Sequence, residues 1–217
     1  MHLITREDKS PLKTNFQTSI YGESRDLFRG GKKNTATLFS LSAVAGVIAG
    51  VCIILGAILN DLLKTERGTI FNFLGALIGL FGITGFYLWQ RVEFGIFGLV
   101  AYVLVFIGFV LIACIDYMGA FIAPGLSEEE MARMQQSSAM MVTMISGLIF
   151  LVSELLFGIA AFRANIFPRI ATVLFMVGFL ATPVRAAYPI FTFVGLTFSG
   201  IGIIWWGVTL FSLTGGF

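Results

Sequence analysis

The 217-residue chain is 57% hydrophobic and only 12% charged, with a formal net charge of +2 and a mean hydropathy of +0.92. A soluble domain of this length carries about a quarter charged residues, so too few charges are present to coat a globule for water, and an all-α integral membrane protein is expected. The near-neutral balance gives no reason to expect nucleic acid as a partner.

Residues 1–36 are polar and hold seven Lys or Arg with no apolar run near the start, which is unlike a cleavable signal peptide. They are expected to form a cytoplasmic arm, and residues 37–217 a single transmembrane bundle. A bilayer core about 30 Å thick needs roughly 20 helical residues. Six runs meet that need: Thr37–Leu59, Thr69–Trp89, Phe94–Ile115, Ser138–Ala161, Ile166–Val184 and Ile190–Ser212. They are uninterrupted rather than alternating apolar and polar, which argues against a β-barrel.

In the first two runs, Gly46 with Gly50 and Gly75 with Gly79 form small-xxx-small pairs that let helix backbones approach. Between the third and fourth runs, Ala123–Gln136 reads APGLSEEEMARMQQ. Ser127 and Glu130 fit a capping box there, with acids at the positive end of the helix. A helix from Glu128 to Ala161 would be about 51 Å long at about 1.5 Å per residue, so its first turns should protrude into water. Residues 96–109 and 166–179 share seven identities in fourteen positions, among them Ala101/Ala171, Gly108/Gly178 and Phe109/Phe179. The offset of two spans describes a parallel repeat rather than the inverted repeat many transporters carry.

Topology follows from basic residues. With the N-terminus inside, ten Lys or Arg face inward and four, Lys64, Arg67, Arg133 and Arg185, face outward. Both termini are therefore expected in the cytoplasm.

The residue inventory excludes several chemistries. His2 is the single histidine and lies in the arm, so no span offers an axial haem ligand or the carboxylate–histidine set of a zinc or di-iron site. No cofactor or metal is expected. Cys52 and Cys114 fall inside spans, where cysteine behaves as a small apolar residue. Ser146 and Ser153 have no intramembrane His or Lys to act as base, and no GxxxxGK[ST] is present. No enzyme activity is expected.

Five charged positions stand out: Glu154, Arg169, Arg91, Asp116 and Arg185. Glu154 lies in LIFLVSELLFGIAAFR, seven residues before Ala161 and so roughly 10 Å from the cytoplasmic boundary. An isolated anion there would cost at least several kcal/mol, so Glu154 is expected to be protonated, paired or wet. Arg169 and then Arg91 are the cations nearest in depth, and an interhelical bond from Glu154 to one of them, or to a hydroxyl or amide, is the expectation. Asp116 and Arg185 are expected to pair at the outer face. Apart from Glu154, the polar groups available for a pathway are Asn72, Thr84, Ser146 and Ser153, a thin set.

Gly85–Arg91, the run into Phe121-Ile122-Ala123-Pro124, and Leu155–Arg163 followed by Pro168-Arg169 resemble a group of small polytopic bacterial membrane proteins of unknown function. The resemblance covers roughly Thr69 to Leu213. It implies a bundle of six or seven helices in a bacterial inner membrane and brings no activity, and Glu154 is not part of its pattern. The expected function is a non-catalytic accessory or scaffold subunit whose partners are membrane lipids and other membrane subunits. The alternative is a small transporter or channel using Glu154 as a proton or cation site. The 23 phenylalanines suit lipid contact, helix packing or an apolar ligand such as quinone, carotenoid or lipid.

Overall fold

The computed structural model describes residues 35–181 and 189–215. Residues Met1–Leu38 and Phe39–Phe217 form separate compact units. Nearly all of the expected arm, residues 1–34, lies outside the described residues, and Thr35–Leu38 are helical and exposed. The described residues of the larger unit form a helical bundle without strands.

Helix α1 spans Thr35–Leu62. The run Gly68–Tyr117 breaks at Gly95 into α2 (68–94) and α3 (96–117), and wider π and 3-10 turns extend α3 to Gly125. Helix α4 is Glu128–Gln136, α5 is Ser138–Ala164, α6 is Arg169–Ala181 and α7 is Pro189–Leu213. Among the described residues, four helical stretches are long and apolar enough to cross a membrane: Thr35–Leu62, Gly68–Gly125, Ser138–Ala164 and Ile190–Leu213.

The charges at Arg91 and Glu93 suggest a loop after Trp89, but the helix continues through them and buries Gln90 completely. The chain reverses at Gly95 instead, where φ is 57° and ψ is −156°. That region is essentially restricted to glycine. Across the reversal Tyr87 stacks on Tyr102 with centroids 4.3 Å apart, Thr84 Oγ1 lies 3.1 Å from Tyr102 Oη, and Phe73 meets Tyr117 at 5.8 Å. These pairs make α2 and α3 an antiparallel hairpin. A methyl group at Gly95 would touch nothing, so the cost of Gly95→Ala lies in the backbone alone. We expect Gly95→Ala to lower the unfolding free energy by roughly 1–2 kcal/mol, measured by reversible denaturation in detergent. An unchanged midpoint would show that the reversal does not depend on glycine.

The expected continuous helix from Glu128 is broken at Ser137, whose φ and ψ are −86° and 173°. Ser137 Oγ donates to the Met134 carbonyl at 2.6 Å and accepts from Ala139 N at 3.2 Å. A serine hydroxyl that competes for backbone groups in this way ends one helix and caps the next. The expected capping box at α4 is present. Ser127 N and Oγ donate to Glu130 Oε2 at 2.8 and 2.7 Å, and Glu130 N donates to Ser127 Oγ. The backbone bond first, then the hydroxyl, holds the Glu130 carboxyl below the usual glutamate range.

The fifth apolar run begins later than expected. Asn165 caps α5 in the left-handed conformation (φ 55°, ψ 31°) and α6 starts only at Arg169, after Pro168. Its 13 residues reach about 20 Å, and residues 182–184 of the expected span lie outside the described residues.

Glycines set the tightest helix contacts. A methyl on Gly82 would lie 2.8 Å from Gly46 Cα, joining α1 to α2, and one on Gly50 would lie 2.6 Å from the Gly200 carbonyl oxygen, joining α1 to α7. Near the Gly95 end, aromatic rings fill the interior around the fully buried Trp206. Phe86, Phe167 and Phe175 lie 5.6, 5.6 and 4.7 Å from it, and its indole N–H donates to Thr172 Oγ1 at 3.2 Å.

Candidate functional site

Near the opposite end, where α4 sits, the packing opens. Helix α5 is exposed on every side from Ser138 to Ile145 and first becomes buried at Ser146. Between this stretch and the rest of the bundle lies a partly open cavity of about 670 Å³. It falls within the roughly 300–1,000 Å³ typical of ligand pockets.

Helical register gives the cavity two ends. Asn72 lies near the start of α2, Asp116 near the end of α3 and Thr192 near the start of α7, and all three line the cavity at the α4 end. Phe109 lies seven residues deeper along α3 than Asp116, roughly 10 Å. There it packs edge-on against Phe150 with centroids 5.5 Å apart, and Phe179 meets the same ring from α6 at 5.2 Å. The sequence echo thus has a packing expression: Ala101 and Ala171 are both buried, while Phe109 and Phe179 flank one ring. Twelve of the fifteen lining residues are apolar.

Two of the polar lining groups are unsatisfied. Thr192 is only 3% exposed, and its hydroxyl has no hydrogen-bond partner. Asn72 Oδ1 is likewise buried and unpartnered. A buried polar atom left without a partner costs about 1–3 kcal/mol, which makes such atoms informative in a packed bundle.

Glu154 faces protein as expected and is fully buried, one turn beyond Phe150 and Leu151 under the cavity floor. The expected bond is not made. Both carboxylate oxygens lack a partner, and the one salt bridge among the described residues is Arg133 to Glu129 on α4. Arg169 instead donates from Nε to Asn165 Oδ1 at 2.8 Å and lies over the Phe162 ring. Arg91 is exposed at the Gly95 end. The physical reason is direction: both arginines sit at helix ends, where turning their charge outward avoids desolvation. Asp116 lines the cavity, and Arg185, its expected partner, lies outside the described residues.

The remaining polar candidates build no path. Thr84 donates to the Leu80 carbonyl and Ser153 to that of Phe150, each on its own helix. Gln90, which the sequence reading passed over beside Arg91, donates from Nε2 to the Phe86 carbonyl and leaves Oε1 buried and unpartnered. Thr192 was also missed, because nothing in sequence separates it from Thr197 or Thr209. Cys52 and Cys114 are free thiols, and no group of three or more His, Cys, Asp or Glu among the described residues could hold a metal ion. The chain matches no family model, no curated protein and no solved structure.

Proposed function

We propose that the chain is a six-span integral membrane protein of the bacterial inner membrane and acts as a non-catalytic accessory or scaffold subunit. The observation that carries this reading is the outer half of α5. Met140, Met141, Val142, Met144 and Ile145 are all exposed on a helix apolar and long enough to cross a bilayer. Such a stretch leaves about half of its surface uncovered by its own chain, and flexible methionines suit adaptable packing against another apolar surface. Counting the α2–α3 hairpin as two crossings and α6 as one supports six spans. Extraction from native membranes in a mild detergent tests the role: the 23.6 kDa chain should migrate within a larger assembly, and migration as a lone protomer would overturn it.

Orientation is a separate expectation. Ten basic residues against four support cytoplasmic termini and place α4 outside. Gln135 is exposed on α4, so Gln135→Cys should react with an impermeant thiol reagent in intact cells. Labelling only after lysis would reverse the topology.

The transporter reading retains one supporting observation, the buried and unpartnered carboxyl of Glu154. Against it stands the thin set of polar side chains near that carboxyl among the described residues, since pathways usually line several ionisable or amide groups.

A further inference from the structure

We infer that the cavity between α5 and the α2–α3–α7 face binds one single-chain lipid with an uncharged, hydrogen-bonding head, seated with its head at Thr192 and Asn72 and its chain on Phe109, Phe150 and Phe179. The inference rests on the membrane-spanning reading but not on the accessory role.

Three independent observations converge on this occupant. The cavity of about 670 Å³ is apolar over most of its lining yet gathers its polar side chains at one end, which matches an amphiphile and not water or a uniformly apolar molecule. At that end Thr192, 3% exposed, presents a hydroxyl with no partner in the protein. A change of its χ1 rotamer, of which helix threonines use two, would turn that hydroxyl to a ligand oxygen. The side wall is itself lipid-facing: Met144 and Leu148 line the cavity while remaining 66% and 61% exposed. An occupant therefore enters sideways, from among acyl chains.

Head chemistry follows from the lining. Among the described lining residues the charged side chain is Asp116, an acid, which disfavours a phosphate or carboxylate head. A hydroxyl or ester head needs only what Thr192 and the Asn72 amide offer. The depth from Asp116 to Phe109 leaves roughly 10 Å of apolar wall for the chain.

The test uses the full chain in phosphatidylcholine nanodiscs with a photo-crosslinking monoacylglycerol carrying a diazirine in its acyl chain. Adducts should concentrate on α5 between residues 144 and 151, and unlabelled monooleoylglycerol should compete for them better than oleate. Gly147 lines the cavity, and a methyl group there would meet nothing within 4 Å, so Gly147→Phe should fill the site, cut cavity labelling at least about tenfold and leave the melting temperature unchanged. If that variant melts early, Gly147→Leu replaces it with a smaller plug. Thr192→Val keeps shape but removes the hydroxyl, and should weaken competition about 3–10-fold, the value of one hydrogen bond. Adducts spread evenly over exposed Phe81 and Ile96, indifferent to all three substitutions, would mean annular lipid only and would overturn the site. So would crosslinks to a second copy of the chain. A chain that proves soluble without detergent would instead overturn the membrane reading on which the inference depends.

Discussion

Trp206→Ala should lower the unfolding free energy by about 3–5 kcal/mol, the largest loss expected from any single aromatic truncation in this chain. Trp206 is fully buried against Phe86, Phe157, Phe167 and Phe175, on helices α2, α5 and α6 and the turn before α6. In the proposed bilayer the transfer of indole from water is no longer the driving term, because the unfolded helices are themselves surrounded by lipid. What remains is lost packing and an unfilled cavity, which places the expected value near the lower end, about 3 kcal/mol. Trp206→Phe separates the two contributions: it keeps most ring contacts and loses the N–H bond to Thr172, and should cost about 1 kcal/mol more than any loss of ring volume. Trp205, the adjacent residue, is 40% exposed, and Trp205→Ala should change stability by no more than about 0.5 kcal/mol. Reversible denaturation followed by far-UV circular dichroism gives all three values. Equal losses for Trp205 and Trp206 would mean that this aromatic cluster does not organise the bundle.

The sequence reading and the structure agree on helices and differ on where they end, and the residues explain why. Long apolar runs announce that a helix exists because the period and length are properties of the run itself. The break at Gly95 depends on one dihedral pair, and among 25 glycines nothing local marks this one. The charges of Arg91 and Glu93 suggest a boundary after Trp89, five residues before the helix ends at Phe94. Gln90, buried just before them, shows that the helix outlasts the apolar run. The capping box at Ser127 was legible because both of its halves are encoded within four residues.

Sites were harder because they form between helices. The burial of Glu154 could be read from its apolar flanks, yet its lack of a partner could not. That depends on which helices stand beside α5 and how far the arginines at their ends turn outward. Thr192 is a sharper case. Thr197 and Thr209 donate to the carbonyls of Phe193 and Trp205, four residues back. Thr192 lies three residues into α7 and makes no such bond. Whether a helix threonine bonds back in this way depends on its place in the helix and on the helices beside it, which a residue-by-residue reading cannot distinguish.

Glu154→Leu should raise the unfolding free energy by about 1–3 kcal/mol, the opposite of what an interhelical fastener would give. The reasoning is one of accounting for polar atoms. Both carboxylate oxygens are buried without partners, so the folded state carries their desolvation and receives no bond in return. Leucine has a similar length, and the neighbouring face of α5 buries Phe157 and Gly158, a surface that accepts an apolar side chain. Glu154→Gln should give a smaller change, because the amide leaves polar atoms in the same dry position. A group that costs stability calls for a test of another task, and Glu154 lies one turn beneath the cavity floor. If Glu154→Leu folds more stably, assembles as before and leaves membrane proton flux untouched, the carboxyl is a tolerated expense of the accessory fold. If it folds more stably but abolishes a proton-linked flux that the unsubstituted chain supports in vesicles, the transporter reading replaces the accessory one. A loss of stability on Glu154→Leu would contradict both, and would mean that the carboxyl does find a partner in the membrane.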